Sequence, residues 1–557
     1  MTTSADPSLA TRDRGRAAPA TRRSLVRPDA PPATALLWQA ALLGLSADAL
    51  LYEAFPGPGL AIWVLVLALA ALSLTWSAGR RVPREAAAWL GTAVLLAACT
   101  AWRGDEGLRV FDVLATIAVL GLAGIALRDP ALAVAAPRLR DTLWAGLAIV
   151  LNAARGIVPL AVRELFAADR RSGALGRART AFRLALIAGV LLLVFGSLLR
   201  SADPIFARLV ALPDFDVGEV IAHVLLMGFF AWVAGGWAYG ALVESPAVRK
   251  APDRLPLTLG AAELTTALGT LNVLFGVYVL TQLGWFFGGE SFLQATTGLT
   301  AAQYARQGFF QMVWVVALVL PLLLATRAAL GTNEALARRH TLLASPIVVL
   351  LGAIIVSAAL RMRLYVHYYG LTSERLYTLV FMGWLAIVLV MLAATVLRDR
   401  GRTFVAGSVV SALTLLLGLH LVVPDVVVAR VNLGRAAGAA HLSDAKLDLA
   451  YLASLGGEAV PLAVTATLAT PTTLALSDST VRDARCEAAS RLLHRWGPAS
   501  DAVERRQAQG SWRSWNLGEQ KALRAVGASS AELRRIRHEM CPLGRDLSRG
   551  RPSRPAE

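Results

Sequence analysis

The apolar residues of this chain arrive in blocks of about 17 to 25, the length that carries a helix across roughly 30 Å of hydrocarbon. A backbone inside a bilayer must satisfy its own N–H and C=O groups, so only helices and closed barrels cross it. These blocks have the length and apolar character of spanning helices. The fold class that follows is all-α integral membrane. Composition agrees: 56% of the 557 residues are hydrophobic and 17% charged, against about 25% charged in a soluble domain. Mean hydropathy is +0.55. A soluble enzyme of this size could not cover its surface with so few polar groups.

Eleven segments qualify as spanning helices: 34–51, 60–77, 86–102, 110–127, 182–199, 217–242, 262–287, 309–326, 341–360, 376–397 and 404–423. The first four form an N-terminal group over 34–127; the other seven form a membrane core over 182–423. Segment 143–166 carries Asn152, Arg155 and Arg163 and breaks at Gly156 and Pro159. With arginines on both flanks it reads as an amphipathic helix on the inner face. Residues 1–33 form a basic, disordered arm ahead of a retained first helix.

The net charge is +17, and Lys250, Lys446 and Lys521 are the only lysines. The arginines gather at the ends of apolar blocks, which sets orientation in the membrane. They form no basic stripe with interleaved aromatics, so nucleic acid is not an expected partner. With the arm in the cytoplasm, inner loops hold Arg80, Arg81 and Arg84, then Arg249, Lys250 and Arg254, then Arg398, Arg400 and Arg402. The outer loops are poorer in arginine, with one exception at 361–375. Eleven crossings place the C-terminus outside. The expected location is a bacterial inner (cytoplasmic) membrane, with the bilayer itself as the first partner.

Beyond Pro424 the chain is less apolar, and short helical patterns are separated by Gly, Pro and Ser. Residues 424–545 read as a small α-helical domain on the outer face, and 546–557 as disordered. Cys486 and Cys541 are candidates for a disulfide if that side is oxidising; sequence alone leaves the pairing open. No CxxC spacing occurs, and no metal site or cofactor is expected.

Several strings stand in order: SADPIF (201–206), LNVLFGVYVLTQLGWFFGG (271–289), YARQGFF (304–310), RMRLYVHYYGLTSERLY (361–377), ARVNLGRA (429–436), DLAYLASL (448–455) and WRSWN (512–516). Together they resemble a bacterial integral-membrane family known only as a domain of unknown function (DUF4173/DUF4153-like), over roughly residues 180 to 525. Gly457-Glu458 departs from the Asp-Ala of that pattern. The resemblance implies a polytopic membrane protein without an assigned activity, so it supplies no catalytic residue.

The arginine-rich outer loop is the candidate site. If the helix from 341 runs to Tyr369 it is about 43 Å long at 1.5 Å per residue, longer than the hydrocarbon core. Arg361, Tyr365 and Tyr369 then share one face and Arg363 and His367 another. Gly370 ends the helix and Thr372 caps the next. Arginines beside a helix N-terminus suit an anion, so Arg361, Arg363, Tyr365, His367, Tyr369, Arg375 and Arg306 are candidates for an anionic lipid headgroup. The competing reading pairs these arginines with Asp203, Glu290 and Glu374. Asp203, Asn272 and Gln282 are structural polar candidates, the last two as glue between helices. Glu219 and His223 share a face without forming a zinc motif, and His420 reads as interfacial. Three function classes remain: an envelope-associated scaffold or signalling component, a transporter or flippase, and a membrane enzyme acting on a lipid-linked anion. No motif identifies a catalytic group.

Overall fold

The computed structural model describes residues 26–129 except 55, 139–157, 160–161, 217–245, 260–297, 309–330, 333–398, 404–438, 447–469, 479–497 and 512–541, with isolated turns between 184 and 199. Among the described residues every regular element is helical; the only β feature is the bridge between Val26 and Glu244. Among the described residues, eight helices are long and apolar enough to cross a membrane. Of the eleven expected segments, 86–102 corresponds to a 16-residue helix, 309–326 falls within the helix Phe309–Ala329, and most of 182–199 lies outside the described residues.

The N-terminal bundle consists of α1 (Ala33–Leu51), α2 (Pro58–Ser77), α3 (Arg84–Cys99), α4 (Glu106–Arg128), α5 (Leu139–Arg155) and α6 (Val217–Ala238, continued by a π turn to Val243). In lipid there is no hydrophobic drive between helices, so close approach through small residues has to hold them. Its buried seams are accordingly rich in alanine: Ala47, Ala71, Ala86, Ala93, Ala97 and Ala123 are all at most 2% exposed. At Gly44 of α1 an added Cβ would stand 2.5 Å from the Met227 carbonyl of α6. Large apolar side chains such as Trp38, Trp76 and Leu95 face outward, as lipid contact requires. The segment expected on the inner face is α5. It ends at Arg155, and its Asn152, Ala153 and Gly156 lie against Gly236 of α6.

A second bundle contains α7 (Ala261–Thr297), α8 (Phe309–Ala329), α9 (Glu334–Tyr369) and α10 (Ser373–Ala394), packed around Leu268, Val316, Leu323, Ile347, Leu351 and Leu385. Helix α11 (Phe404–Val422) then returns toward α4.

The remaining helices are α12 (Pro424–Gly438), α13 (Leu449–Ser454), α14 (Val460–Ala469), α15 (Ser479–Trp496), α16 (Leu517–Ala528) and α17 (Ser530–Met540). They share their own core, including Leu452, Leu492, Trp496, Val526 and Leu533, each contributing about 1.5–3 kcal/mol by burial. Cys486 of α15 and Cys541 beyond α17 are joined by a disulfide, Cα to Cα 5.4 Å. This core also takes in Leu371, from the corner between α9 and α10. The helical domain is therefore seated on the bundle rather than tethered to it. Asn516 Nδ2 donates to the carbonyls of Thr100 (2.9 Å) and Arg103 (2.6 Å), and Gly104 N–H donates to both Glu458 oxygens at 3.0 Å. Gly57 and Gly59, before and within α2, pass close under the Arg513 backbone.

Candidate ligand cavity between bundle and helical domain

Three helix starts and one helix end shape the site. Asp105 precedes α4 and caps it, accepting from Leu108 N–H at 2.8 Å. Tyr369 ends α9, and Gly370 follows at φ +80°, a conformation glycine adopts without cost. Thr372 then caps α10 by accepting from Arg375 N–H. Both features of this corner match the sequence reading. Before α12, Val423 sits at φ +59°. Pro424 disfavours the right-handed helical region for the residue ahead of it, and the resulting reversal delivers Asp425 to the first turn of α12.

These elements enclose a cavity of about 630 Å³. Its walls come from both parts of the molecule: Asp105 of the α4 start, Tyr365 of α9 and Tyr377 of α10 on the bundle side, Tyr451, Gly456 and Arg495 on the domain side. Asp105 and Asp425 are 3% and 4% exposed. Asp105 Oδ1 accepts from the Tyr377 hydroxyl at 2.6 Å. Asp425 accepts from the Ser373 hydroxyl at 2.8 Å and from Gly456 N–H at 2.7 Å. Asp105 Oδ2 receives no hydrogen bond, and among the described residues no cation pairs with either carboxylate. Burial, and then the neighbouring Asp105 carboxylate, push the Asp425 carboxyl up to about 7. Burial likewise raises the Tyr451 phenol, whose oxygen accepts from Ser373 N–H at 3.0 Å. Glycines make the close approach possible: a Cβ at 107 would lie 2.6 Å from Tyr377 Cε2, and one at 456 would collide with the Asp425 carboxylate.

Among the described residues, the arginine-rich corner brings only part of the expected anion-binding set to the cavity. Of its candidates, Tyr365 and Arg375 line the cavity. Arg375 stacks over the Tyr365 ring at 4.2 Å and donates to the Gly370 carbonyl. Arg361 is 4% exposed and donates within the bundle to Gln282 Oε1, which also takes a bond from Ser357 at 3.3 Å. Arg363, His367 and Tyr369 are exposed. Arg306 and Asp203 lie outside the described residues. Asn272 donates to Leu343 O of α9 at 2.8 Å, an interhelical bond of the expected kind.

Three further polar clusters involve the N-terminal bundle. His420, read as interfacial, is instead 1% exposed, with its Nε2 3.2 Å from Asp112 Oδ2 and its ring stacked on Trp102. At the other end of α4, Arg128 donates to Glu244 at 2.7 Å and Asn152 to the same oxygen at 2.8 Å. His223 lies 2.7 Å from Asp48 and 3.9 Å from Glu219. Among the described residues no three His, Cys, Asp or Glu side chains converge as metal ligands.

The family model described as a domain of unknown function (DUF4153) matches residues 90–466, more than half of the chain. The protein belongs to the DUF4153 family. The DUF4153 match begins within α3, well ahead of residue 180, and so includes Asp105 and all of α4 as well as Asp425 and Gly456. It ends within α14, before the WRSWN string. No curated protein and no solved structure matches the chain.

Proposed function

We propose that this DUF4153 protein is an envelope-associated scaffold or signalling component whose outer helical domain responds to the state of the cavity beneath it. The observation that carries this reading is the shared construction of that cavity: Asp105 and Tyr377 belong to the bundle, Gly456 and Tyr451 to the domain. Anything that changes charge or occupancy there alters the free energy of seating one on the other.

In this reading the N-terminus is cytoplasmic and α12–α17 lie outside, in a bacterial inner membrane crossed eleven times. Arg27, Arg80 and Arg128 share the end of the N-terminal bundle opposite the helical domain, as the positive-inside rule favours. The Cys486–Cys541 disulfide suits an oxidising compartment. A scaffold is favoured over a transporter because the buried face of α4 is polar at Asp112 and Thr116 and then apolar until Arg128, a gap of about 18 Å at 1.5 Å per residue.

Hydrogen-exchange mass spectrometry on the full chain in nanodiscs tests the coupling. The amides of Gly104, Gly456 and Leu517, all bonded across or beside the seam, are expected to exchange as one cooperative unit. Their protection is expected to weaken as the pH rises from about 5 to 8. Unchanged protection across that range would refute the reading.

A further inference from the structure

Two carboxylates, each at least nine-tenths buried, face one cavity without a counter-cation. Burying ions uncompensated is strongly unfavourable, and the deficit is met by a proton or by an incoming cation. The cavity's own cations are committed elsewhere. Arg375 serves the Gly370 carbonyl and the Tyr365 ring. Arg495 bonds Glu106 at 2.7 Å and Ser454 O at 2.9 Å. Asp105 forms part of the cavity wall; its Oδ2 accepts from no fixed donor among the described residues and lies within hydrogen-bonding reach of the Asp425 carboxyl.

From this geometry we infer that the cavity between the outer domain and the bundle binds a primary ammonium group, held by Asp105 Oδ2 and the Asp425 carboxylate. Three features select that chemistry. An ammonium offers three N–H donors and a positive charge at a point, which meets both the orphan lone pair and the missing counter-charge. A divalent metal would need more oxygen ligands than two carboxylates, and no third metal-type side chain converges there among the described residues. The volume of about 630 Å³ far exceeds a bare ammonium and suits a terminal amine on a larger molecule. A phospholipid headgroup and a soluble amine share this chemistry.

Proton and ligand compete for the same carboxylate. The titratable and charged groups facing Asp425 are Asp105 and Glu106 from the start of α4, Tyr365 from α9, Glu374, Arg375 and Tyr377 from α10, Tyr451 from α13 and Arg495 from α15. With Asp425 titrating at about 7, affinity for an amine that stays protonated is expected to tighten about tenfold between pH 6 and pH 8.

The inference rests on the cavity being the coupling element, and its test separates the two. The full chain in phosphatidylglycerol nanodiscs is titrated with glycerophosphoethanolamine and, as control, with glycerophosphocholine, whose quaternary nitrogen has no N–H. In parallel, native mass spectrometry reads which lipid is retained from an equimolar phosphatidylethanolamine–phosphatidylglycerol mixture. Asp105→Asn is the diagnostic variant. It preserves the bonds from Tyr377 and Leu108 and replaces the orphan acceptor with a donor, so the fold is kept while the ammonium is repelled. Saturable binding of glycerophosphoethanolamine, weakened at least about tenfold in Asp105→Asn, supports a soluble amine. Selective retention of phosphatidylethanolamine, lost in the variant, supports the lipid. Binding of neither, equal binding of the choline compound, or binding indifferent to Asp105→Asn overturns the inference. Seam protection that still follows pH in those cases leaves the coupling standing, with a proton as its sole ligand.

Discussion

Asp105→Asn has a second consequence that is worked out from the structure without any ligand. Between pH 3.8, where an unfolded aspartate titrates, and about 7, where Asp425 titrates in place, the folded protein holds a proton that the unfolded chain has released. Stability supplied by that proton is therefore complete at low pH and lost as pH rises through the window. The raised carboxyl corresponds to about 4 kcal/mol at full ionisation, more than half of which falls between pH 5 and pH 8. Burial is the larger cause of the shift and the Asp105 charge the next, so asparagine at 105 removes part of this slope, not all. Where Asp425 is ionised it also supplies a donor for that carboxylate, and a buried acceptor left unsatisfied at that pH disappears, worth about 1–3 kcal/mol. Asparagine is as good a helix cap as aspartate, so α4 loses only the charge–dipole attraction, about 0.3–1 kcal/mol.

The expected result is a protein more stable than wild type at pH 8, by roughly 5 °C or more in the melting of the helical domain, and little changed at pH 5. Intrinsic fluorescence during heating reads this directly, because Trp102, Trp496, Trp512 and Trp515 lie on or near the seam. A variant that melts lower than wild type at pH 8, or that keeps the full pH dependence, would refute the argument that two uncompensated carboxylates face each other.

Other perturbations probe separate parts of the same architecture. Gly370→Ala places a Cβ at φ +80° and 2.7 Å from both Asn432 Oδ1 and an Arg435 nitrogen; a loss of about 1–3 kcal/mol is expected, read as a lower melting temperature. Asn432→Ala removes the two bonds its side chain makes to Leu371 N–H and C=O at 2.9 and 2.7 Å, for a loss of about 2 kcal/mol and faster exchange at the Leu371 amide. Cys486→Ala opens a 55-residue loop, worth about 4 kcal/mol by loop entropy; reductant is expected to shift the wild type to the variant's melting temperature and leave the variant unmoved. His420→Ala strands Asp112, which is fully buried, and is expected to cost about 3–5 kcal/mol, recovered in part by Asp112→Leu in the same chain.

Local chemistry was legible in the sequence and long-range pairing was not. Gly370 and Thr372 declare a helix end and a helix start through backbone demands that neighbours set alone, and the corner forms as read. Asp105 and Asp425 also look local, each an acid at a helix start, where it complements the dipole. Nothing in either stretch reports the other. They meet because Gly456, with no side chain, lets the domain backbone settle between the Asp425 carboxylate and Gly104. His420 was misread for a related reason: position near a helix end says how far a side chain is from water along the axis, not whether Trp102 and Asp112 cover it from the side.

The excess of positive charge at 361–375 has a structural cause of its own. The last turn of α9 leaves carbonyls without helical partners, and cations are favoured at that end of the dipole. Arg375 donates to the carbonyls of Tyr369 and Gly370, and Arg435 to that of His367 at 2.7 Å. Of the arginines in 361–375, Arg375 is thus spent on the end of an over-long helix, and Arg361 on Gln282. An anion entering the cavity would have to draw Arg375 or Arg495 away from these bonds, whereas an amine meets an acceptor that is already waiting. The charge of the best ligand for this cavity is therefore opposite to the one the loop composition suggests, and this follows from counting donors and acceptors rather than charges.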